Sequence, residues 1–151
     1  MYSGTFQKGK GSDVVLAWAK ALPQYKFFFL HSPQSGLNKN HPDNVSFLGE
    51  HTHEEVEYII KAADVLLLPN TKDSLEYSLY TSPLKMFEYM GSGVPIVASH
   101  IGSIREVLTP ENSYVFDPDD TMSGVRHIQT ICDYPGDAHQ KALQALDDVR
   151  G

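Results

Sequence analysis

The chain has 151 residues, 41% of them hydrophobic and 21% charged, as expected of one globular domain with its own core. Its formal net charge is −7, and no Lys/Arg cluster provides the basic surface of a nucleic-acid-binding protein. No apolar run approaches the length of a membrane span. The single cysteine, Cys132, excludes an internal disulfide, fits a reducing cytoplasm and is expected to be a small buried side chain.

The first elements are a short strand, a glycine-rich turn and a helix. The strand over residues 1–4 ends after three residues at Gly4, which suggests a piece excised from a longer protein. The turn over residues 4–11 contains three glycines and two lysines. A helix is predicted over residues 12–22, capped by Ser12 or Asp13 and with Trp18 among its buried side chains.

The rest of the chain alternates strands and helices. Strands are predicted over residues 26–30, 45–48, 65–69, 94–98 and 114–116. Helices are predicted over residues 52–63, from 82 to the glycines at 91–93, 102–108, 121–132 and 137–149; the last is expected to pack through Ala142, Leu143, Leu146 and Val149. The central strands are apolar throughout, with Phe27 to Phe29 in the core, which predicts a doubly wound parallel sheet of about six strands with helices on both faces.

Ligands of such sheets bind outside the carboxyl ends of the strands. The glycine turn at residues 4–10, the turn at Gly49 and the polar loop at residues 70–82 all follow strands and should gather at that edge. The loop ends in a helix start, with Thr81 or Ser82 as the N-cap and Pro83 at the first helical position. Such an end attracts anions such as phosphate.

The helix after Ser82 has an apolar side and one carboxylate beside it. Leu84, Met86, Phe87 and Met90 are predicted to fall on the apolar side, with Glu88 at its edge. A structural interpretation competes with the functional one, because most Ser-Pro pairs only begin helices and most helical glutamates are solvated.

The order of several motifs resembles one known family. The most specific motif is SPLKMFEYMGSGVPIVAS, residues 82–99, and it is supported by Gly4 with Lys10-Gly11, NVSFLG at residues 44–49, ADV at 63–65 and IREV at 104–107. From Gly4 to about Asp120, the sequence resembles the C-terminal, nucleotide-sugar-binding domain of retaining glycosyltransferases with the two-domain GT-B fold. The resemblance implies that residues 1–151 form one donor-binding, Rossmann-like domain.

The resemblance also implies roles for individual residues. Gly4 and Lys10 would hold the donor diphosphate, Glu88 would take the ribose hydroxyls, and the turn at Gly49 would lie beside the base. The helix start at Ser82, Pro83 and Leu84, preceded by Thr81, would lie beside the phosphates. Lys10 and Glu88 are the residues expected to act directly in catalysis.

Two positions depart from the family pattern. Family members often have an arginine directly after the first glycine, where this chain has Thr5, which would leave Lys10 as the main local cation. Many have a glutamate eight positions before the ribose-binding one, where this chain has Tyr80. Tyr80 is predicted either to contact the sugar or to anchor the loop.

The resemblance implies a hexosyltransferase whose substrate is a nucleotide-diphosphate sugar, with no permanently bound cofactor and no metal requirement. His51 and His53 lack an acidic or sulfur partner at ligand spacing and are interpreted as surface histidines. The expected partner is the missing N-terminal, acceptor-binding domain, so the isolated chain should bind donor weakly and transfer nothing. The expected location is the cytoplasm, with the inner membrane surface as an alternative for the longer protein.

Two alternative functions share parts of this pattern. A sugar-nucleotide epimerase or a phosphorylase has the same two-domain architecture, but would need catalytic residues that this half does not show. A non-catalytic nucleotide-binding or signalling module is the other alternative. A receiver domain in particular needs an acidic pair after the first strand and an Asp after the third, where this chain has Gly4-Thr5 and Gly49-Glu50.

Overall fold

The structure, a computed structural model, describes residues 1–7, 9–31, 40–72 and 83–151. Its strands are all parallel and form two groups. In the first, β1 (Phe27–Phe29) pairs with β2 (Val45–Phe47). In the second, β3 (Leu66–Leu68), β4 (Ile96–Ser99) and β5 (Tyr114–Phe116) follow one another in that order.

The N-terminal segment, residues 1–3, joins the two groups into one sheet. Tyr2 donates its N–H to the Phe28 carbonyl and accepts from the Leu30 N–H, both at 2.9 Å, and the Leu67 N–H donates to the Met1 carbonyl at 2.9 Å. The spatial order is therefore β2, β1, the N-terminal segment, β3, β4, β5, which is the order of the Rossmann fold. The predicted fold class is confirmed. The described residues contain five regular strands where about six were expected, because Tyr2 forms only an isolated bridge.

Helices cover both faces of the sheet, as predicted. They are α1 (Ser12–Ala21), α2 (His53–Lys61), α3 (Pro83–Ser92), α4 (Ile104–Val107), α5 (Ser123–Asp133) and α6 (Pro135–Arg150). Side chains of successive strand residues point to opposite faces, so Leu67 packs in a core with Trp18 of α1 and Ile128 of α5. Leu66 belongs to a second core with Met86 of α3. This two-sided burial explains why the strands are apolar at every position.

Two helix starts differ in their chemistry. Helix α2 begins with a capping box, in which the Glu55 N–H donates to Thr52 Oγ1 at 3.2 Å and the Thr52 N–H donates to Glu55 Oε2 at 2.8 Å. The cap predicted for α1 at Ser12 or Asp13 is wrong. Helix α1 follows Gly11, which has a left-handed φ of 85°, and no side chain caps it.

The predicted buried side of α3 is partly wrong. Met86 and Met90 are buried as expected, but Tyr89 is the third buried residue, while Leu84 is 63% and Phe87 41% exposed. Sequence hydrophobicity misplaced the stripe because the Tyr89 hydroxyl has hydrogen-bond partners in the core, which allow a polar aromatic residue to be buried.

Two further burial predictions also fail near the end of the chain. Helix α6 packs against α3 and begins at Pro135, earlier than expected. It buries the small residues Ala138, Ala142 and Ala145, whereas Leu143 is 38% exposed. Cys132, expected to be buried, is exposed because it lies near the end of α5 beside an open groove.

Candidate functional site

A pocket of about 190 Å³ lies at the carboxyl edge of the sheet, beside the N-terminal segment and β3. Its lining residues come from the N-terminal segment, the glycine turn, the end of β3 and the first half of α3: Tyr2, Gly4, Lys10, Leu68, Asn70, Leu84, Lys85 and Glu88. A larger, mostly apolar groove of about 570 Å³ is lined by Phe28, Ile59 and Cys132 among others and contains none of the predicted site residues.

Gly4 is needed because Tyr2 folds back over it. A Cβ at position 4 would lie 2.3 Å from the Tyr2 hydroxyl oxygen. That hydroxyl donates to the Thr5 carbonyl at 2.7 Å and lies 3.2 Å from the Lys10 carbonyl. Burial raises the pKa of Tyr2, so the hydroxyl remains a donor and holds both ends of the glycine turn.

The other end of the glycine turn packs onto the segment after β3. A Cβ at Gly11 would lie 1.9 Å from the Pro69 carbonyl oxygen, and the Thr71 N–H donates to the Gly9 carbonyl at 3.0 Å. The close approach of two backbone segments fixes Lys10, between these glycines, at the pocket.

Helix α3 contributes two charged side chains to the lining of the pocket, Lys85 and Glu88. Lys85 and Glu88 are three positions apart and therefore neighbours on the helix surface. The Lys85 ammonium donates to the Ser3 carbonyl at 2.6 Å. Burial and the nearby charge of Lys10 lower the pKa of Lys85 to about 8, against the opposing effect of Glu88. Glu88 is 20% exposed and its Oε1 lies 3.4 Å from His53 Nδ1 of α2.

Tyr89 attaches α3 to the N-terminal segment through buried hydrogen bonds. Its hydroxyl accepts from the Ser3 N–H at 3.0 Å, lies 2.9 Å from Ser3 Oγ and 3.3 Å from the Leu67 carbonyl. Burial raises the pKa of Tyr89 to about 12, so the phenol stays neutral. The two walls of the pocket are thus joined by a buried hydrogen-bond network.

The structure brings some predicted site residues together and leaves others apart. Gly4, Lys10, Leu84 and Glu88 share the pocket. Thr5 is exposed and does not line it. Gly49 forms the predicted turn with a φ of 83°, but it is not among the lining residues. Tyr80, Thr81 and Ser82 lie outside the described residues, and Pro83 begins α3.

Four lining residues were not predicted as site residues from the sequence: Tyr2, Leu68, Asn70 and Lys85. For Lys85, the distance of three positions from Glu88 on the same helix was the available signal. Asn70 directly follows the buried strand β3 and is 4% exposed, and its position at the carboxyl end of a parallel strand was the signal.

The histidines lie around the site rather than in it. His53 is 68% exposed, as predicted for a surface histidine, and burial and the nearby Lys85 lower the pKa of His31. Within the described ranges, no three His, Cys, Asp or Glu side chains are grouped to hold a metal ion. None of the helices in the described part of the chain has the length and apolar character needed to cross a membrane.

Comparison with known proteins gives a family and a set of similar folds. Residues 1–133 match the family described as glycosyl transferases group 1. A comparison with curated protein sequences found no match. Among solved structures, sucrose-phosphate synthase from Thermosynechococcus elongatus is similar with a TM-score of 0.79 and 24% identity, over 99% of this chain and 39% of that chain.

Two other solved structures show the same fold. The C-terminal domain of the group 1 glycosyl transferase LpcC from Francisella tularensis has a TM-score of 0.78 and 17% identity, over 99% of this chain and 82% of that chain. Anabaena HepE, solved in complex with UDP, has a TM-score of 0.80 and 17% identity, over 98% of this chain and 42% of that chain. This chain thus spans about two fifths of the length of the sucrose-phosphate synthase and HepE chains.

Proposed function

The chain belongs to the glycosyl transferases group 1 family, and on that premise we propose that it is the part of a glycosyltransferase that binds a nucleoside-diphosphate sugar. The observation that carries the proposal is the shared pocket of Gly4, Lys10 and Glu88. These residues are far apart in sequence, and the parallel sheet brings them to the edge where Rossmann-like folds bind ligands.

The charges of the pocket suit a nucleoside diphosphate. Lys10 lines the pocket beside the glycine turn and supplies a positive charge that suits a phosphate. Glu88 presents a carboxylate that can accept hydrogen bonds from two adjacent ribose hydroxyls. Gly4 directly follows the N-terminal segment, and Glu88 contacts His53 of α2, which would place the diphosphate near the N-terminal segment and the ribose towards α2.

The proposed reaction transfers the sugar with retention of configuration. The diphosphate leaving group gains negative charge as the glycosidic bond breaks, and a fixed cation beside it stabilises that charge in the transition state. Lys10 would serve in this role. The proposal includes no permanently bound cofactor and no metal; the nucleotide sugar is a substrate.

The proposed enzyme needs a second domain. The chain covers 39% and 42% of two of the solved proteins that it resembles, and we propose that residues 1–151 form one donor-binding domain of a longer, cytoplasmic protein whose N-terminal domain binds the acceptor. The isolated chain would then bind donor weakly and transfer nothing. Sugar transfer by the isolated chain to any acceptor would contradict this part of the proposal.

The test is thermal unfolding of the chain with a panel of nucleoside diphosphates and their sugars at millimolar concentration. A ligand at 100 times its dissociation constant adds about 2.7 kcal/mol to the free energy of unfolding. We expect one base to give a clear increase in the melting temperature, and Glu88→Ala to remove it.

The control is Glu106→Ala, which removes an exposed carboxylate from α4. The melting temperature of Glu106→Ala should rise with ligand as that of the wild-type chain does. Equal ligand shifts in the wild-type chain and Glu88→Ala would show that Glu88 does not bind the nucleotide. No shift with any ligand would count against donor binding by this chain.

A further inference from the structure

We propose that Lys85 is a second diphosphate-binding residue, which provides the positive charge that Thr5 lacks. The inference rests on the proposed function, because it concerns the same pocket. Family resemblance predicted an arginine at position 5 and left Lys10 as the main cation. Thr5 is exposed and does not line the pocket, whereas Lys85 does.

The position of the Lys85 ammonium is fixed by the backbone that the diphosphate would meet. It donates to the carbonyl of Ser3 at 2.6 Å, the residue directly before Gly4. The ammonium therefore lies at the start of the glycine turn, in the same pocket as Lys10 and close enough for the two charges to interact. An ammonium has three donors, so the bond to Ser3 leaves donors for phosphate oxygens.

The surroundings of Lys85 are unfavourable for a cation that only stabilises the fold. Lys10 lies close enough to repel it, and burial removes part of its hydration; together these lower the pKa of Lys85. Lys85 also occupies the first turn of α3, where the helix dipole disfavours a positive charge. A diphosphate bound between the two lysines would relieve their repulsion and offset the free-energy cost of burying the Lys85 ammonium.

A purely structural role for Lys85 would be to attach α3 to the N-terminal segment. Tyr89 already makes that attachment through the Ser3 N–H, Ser3 Oγ and the Leu67 carbonyl. The ammonium is thus not required to join the two elements, and a ligand is the better explanation of its position.

The test is calorimetric titration at pH 7 with UDP, GDP, ADP and inorganic pyrophosphate. We expect Lys85→Met, which retains an apolar stem, to weaken binding of the diphosphate that the wild-type chain prefers by about 10- to 100-fold. The affinity of Lys85→Met for pyrophosphate should fall by a similar factor, because pyrophosphate has no base or ribose and can report only on the phosphate contacts. Lys85→Arg should recover most of the affinity, and Lys20→Met, at an exposed lysine of α1, should leave it unchanged.

The pH dependence of binding gives an independent measurement. The charged groups facing Lys85 are Lys10, Glu88 and His31, and the pKa of His31 is lowered from its usual range, so His31 does not titrate above pH 7. Since the pKa of Lys85 is about 8, wild-type affinity should fall about tenfold between pH 7 and pH 9 as the binding-competent fraction falls. Lys85→Arg should remove this dependence.

The outcomes separate this inference from the proposed function. Wild-type binding with unchanged affinity in Lys85→Met would overturn the inference and leave the donor site in place. If Lys85→Met does not fold, wild-type affinity that is constant between pH 7 and pH 9 would overturn it instead. Failure of the wild-type chain to bind any of the four probes would overturn both.

Discussion

Gly11 is the position at which the structure most clearly requires a glycine. An added Cβ would lie 1.9 Å from the Pro69 carbonyl oxygen, and the φ of 85° is left-handed. Neither backbone can move without displacing the glycine turn or the end of β3. We expect Gly11→Ala to lower the free energy of unfolding by at least about 2 kcal/mol, measured by urea denaturation.

The matched control for Gly11→Ala is Gly91→Ala in α3. Nothing lies within 4 Å of a Cβ at Gly91, and its φ is not positive. Because alanine has a higher helix propensity, Gly91→Ala should leave the free energy of unfolding unchanged or raise it by up to about 1 kcal/mol. Similar losses in both variants would show that the contact with Pro69 does not determine the requirement for glycine.

Lys85 should make stability rise with pH. Its pKa is lowered from 10.5 to about 8 in the folded chain, so between those values the unfolded chain binds more protons and the free energy of unfolding increases with pH. The unfavourable contribution is fully present below pH 8 and is relieved as pH rises towards 10.5, by at most about 3 kcal/mol.

Urea denaturation of the wild-type chain and Lys85→Met at pH 7 and pH 10 measures this contribution. The difference in stability between the two proteins should shift in favour of the wild-type chain at pH 10. A difference that is the same at both pH values would show that the ammonium is not destabilised in the folded state.

At the scale of the element, the capping box fixes the start of α2. Thr52 Oγ1 accepts from the Glu55 N–H and Glu55 returns a bond to the Thr52 N–H. We expect Thr52→Ala to lower the free energy of unfolding by about 1 kcal/mol, measured by thermal or urea denaturation. Thr130→Ala is the control, because the Thr130 hydroxyl in α5 only bonds the carbonyl four residues earlier, Arg126, and its removal should be neutral or slightly stabilising.

Helix α3 gives a prediction that follows from the corrected face. Met86 is 2% and Leu84 63% exposed, although hydrophobicity alone placed both on the buried side. Met86→Ala should lower the free energy of unfolding by about 2–5 kcal/mol through loss of packing and a residual cavity. Leu84→Ala should change it by less than about 0.5 kcal/mol. Equal losses in the free energy of unfolding for the two variants, measured by chemical denaturation, would support the buried face that was predicted from the sequence.

The elements themselves were predictable, and their buried faces were only partly so. Apolar runs such as residues 65–69 read directly as strands covered on both faces, since no solvent-facing position interrupts them. Which face of a helix is buried depends on its packing partners, and the periodicity of its own sequence does not identify them. Tyr89 is buried because Ser3, 86 positions earlier, meets its hydroxyl, and α6 buries alanines because it lies against α3.

The candidate site was likewise only partly predictable from the sequence. Strand order in a parallel sheet predicts that the turn after Gly4 and the start of α3 lie at one edge. The family resemblance selected Gly4, Lys10 and Glu88 there, and the structure places all three at one pocket. The pocket role of Lys85 was not, because it depends on the distance from its ammonium to the Ser3 carbonyl. Gly49 was placed near the base by resemblance, but the pocket does not reach it.

At the scale of the whole molecule, the N-terminal segment decides whether the sheet is one unit. Its bonds to Leu30 and Leu67 are two of the backbone bonds that join β1 to β3 through the N-terminal segment, and Tyr2 is 2% exposed. A sheet that unfolds as one unit should protect both amides as strongly as those between β4 and β5, with exchange only through global unfolding.

Hydrogen exchange monitored by NMR measures that protection. For a domain stability of about 5 kcal/mol or more, the Leu30 and Leu67 amides should exchange about 10³- to 10⁴-fold more slowly than when unprotected. The Ala62 amide, bonded to the Ile59 carbonyl at the end of α2, is the control and should exchange faster through local fraying. If Leu30 and Leu67 exchange as fast as Ala62, the β1–β2 pair opens separately from β3–β5, and the pocket walls contributed by Gly4 and α3 are then not held by a common rigid sheet.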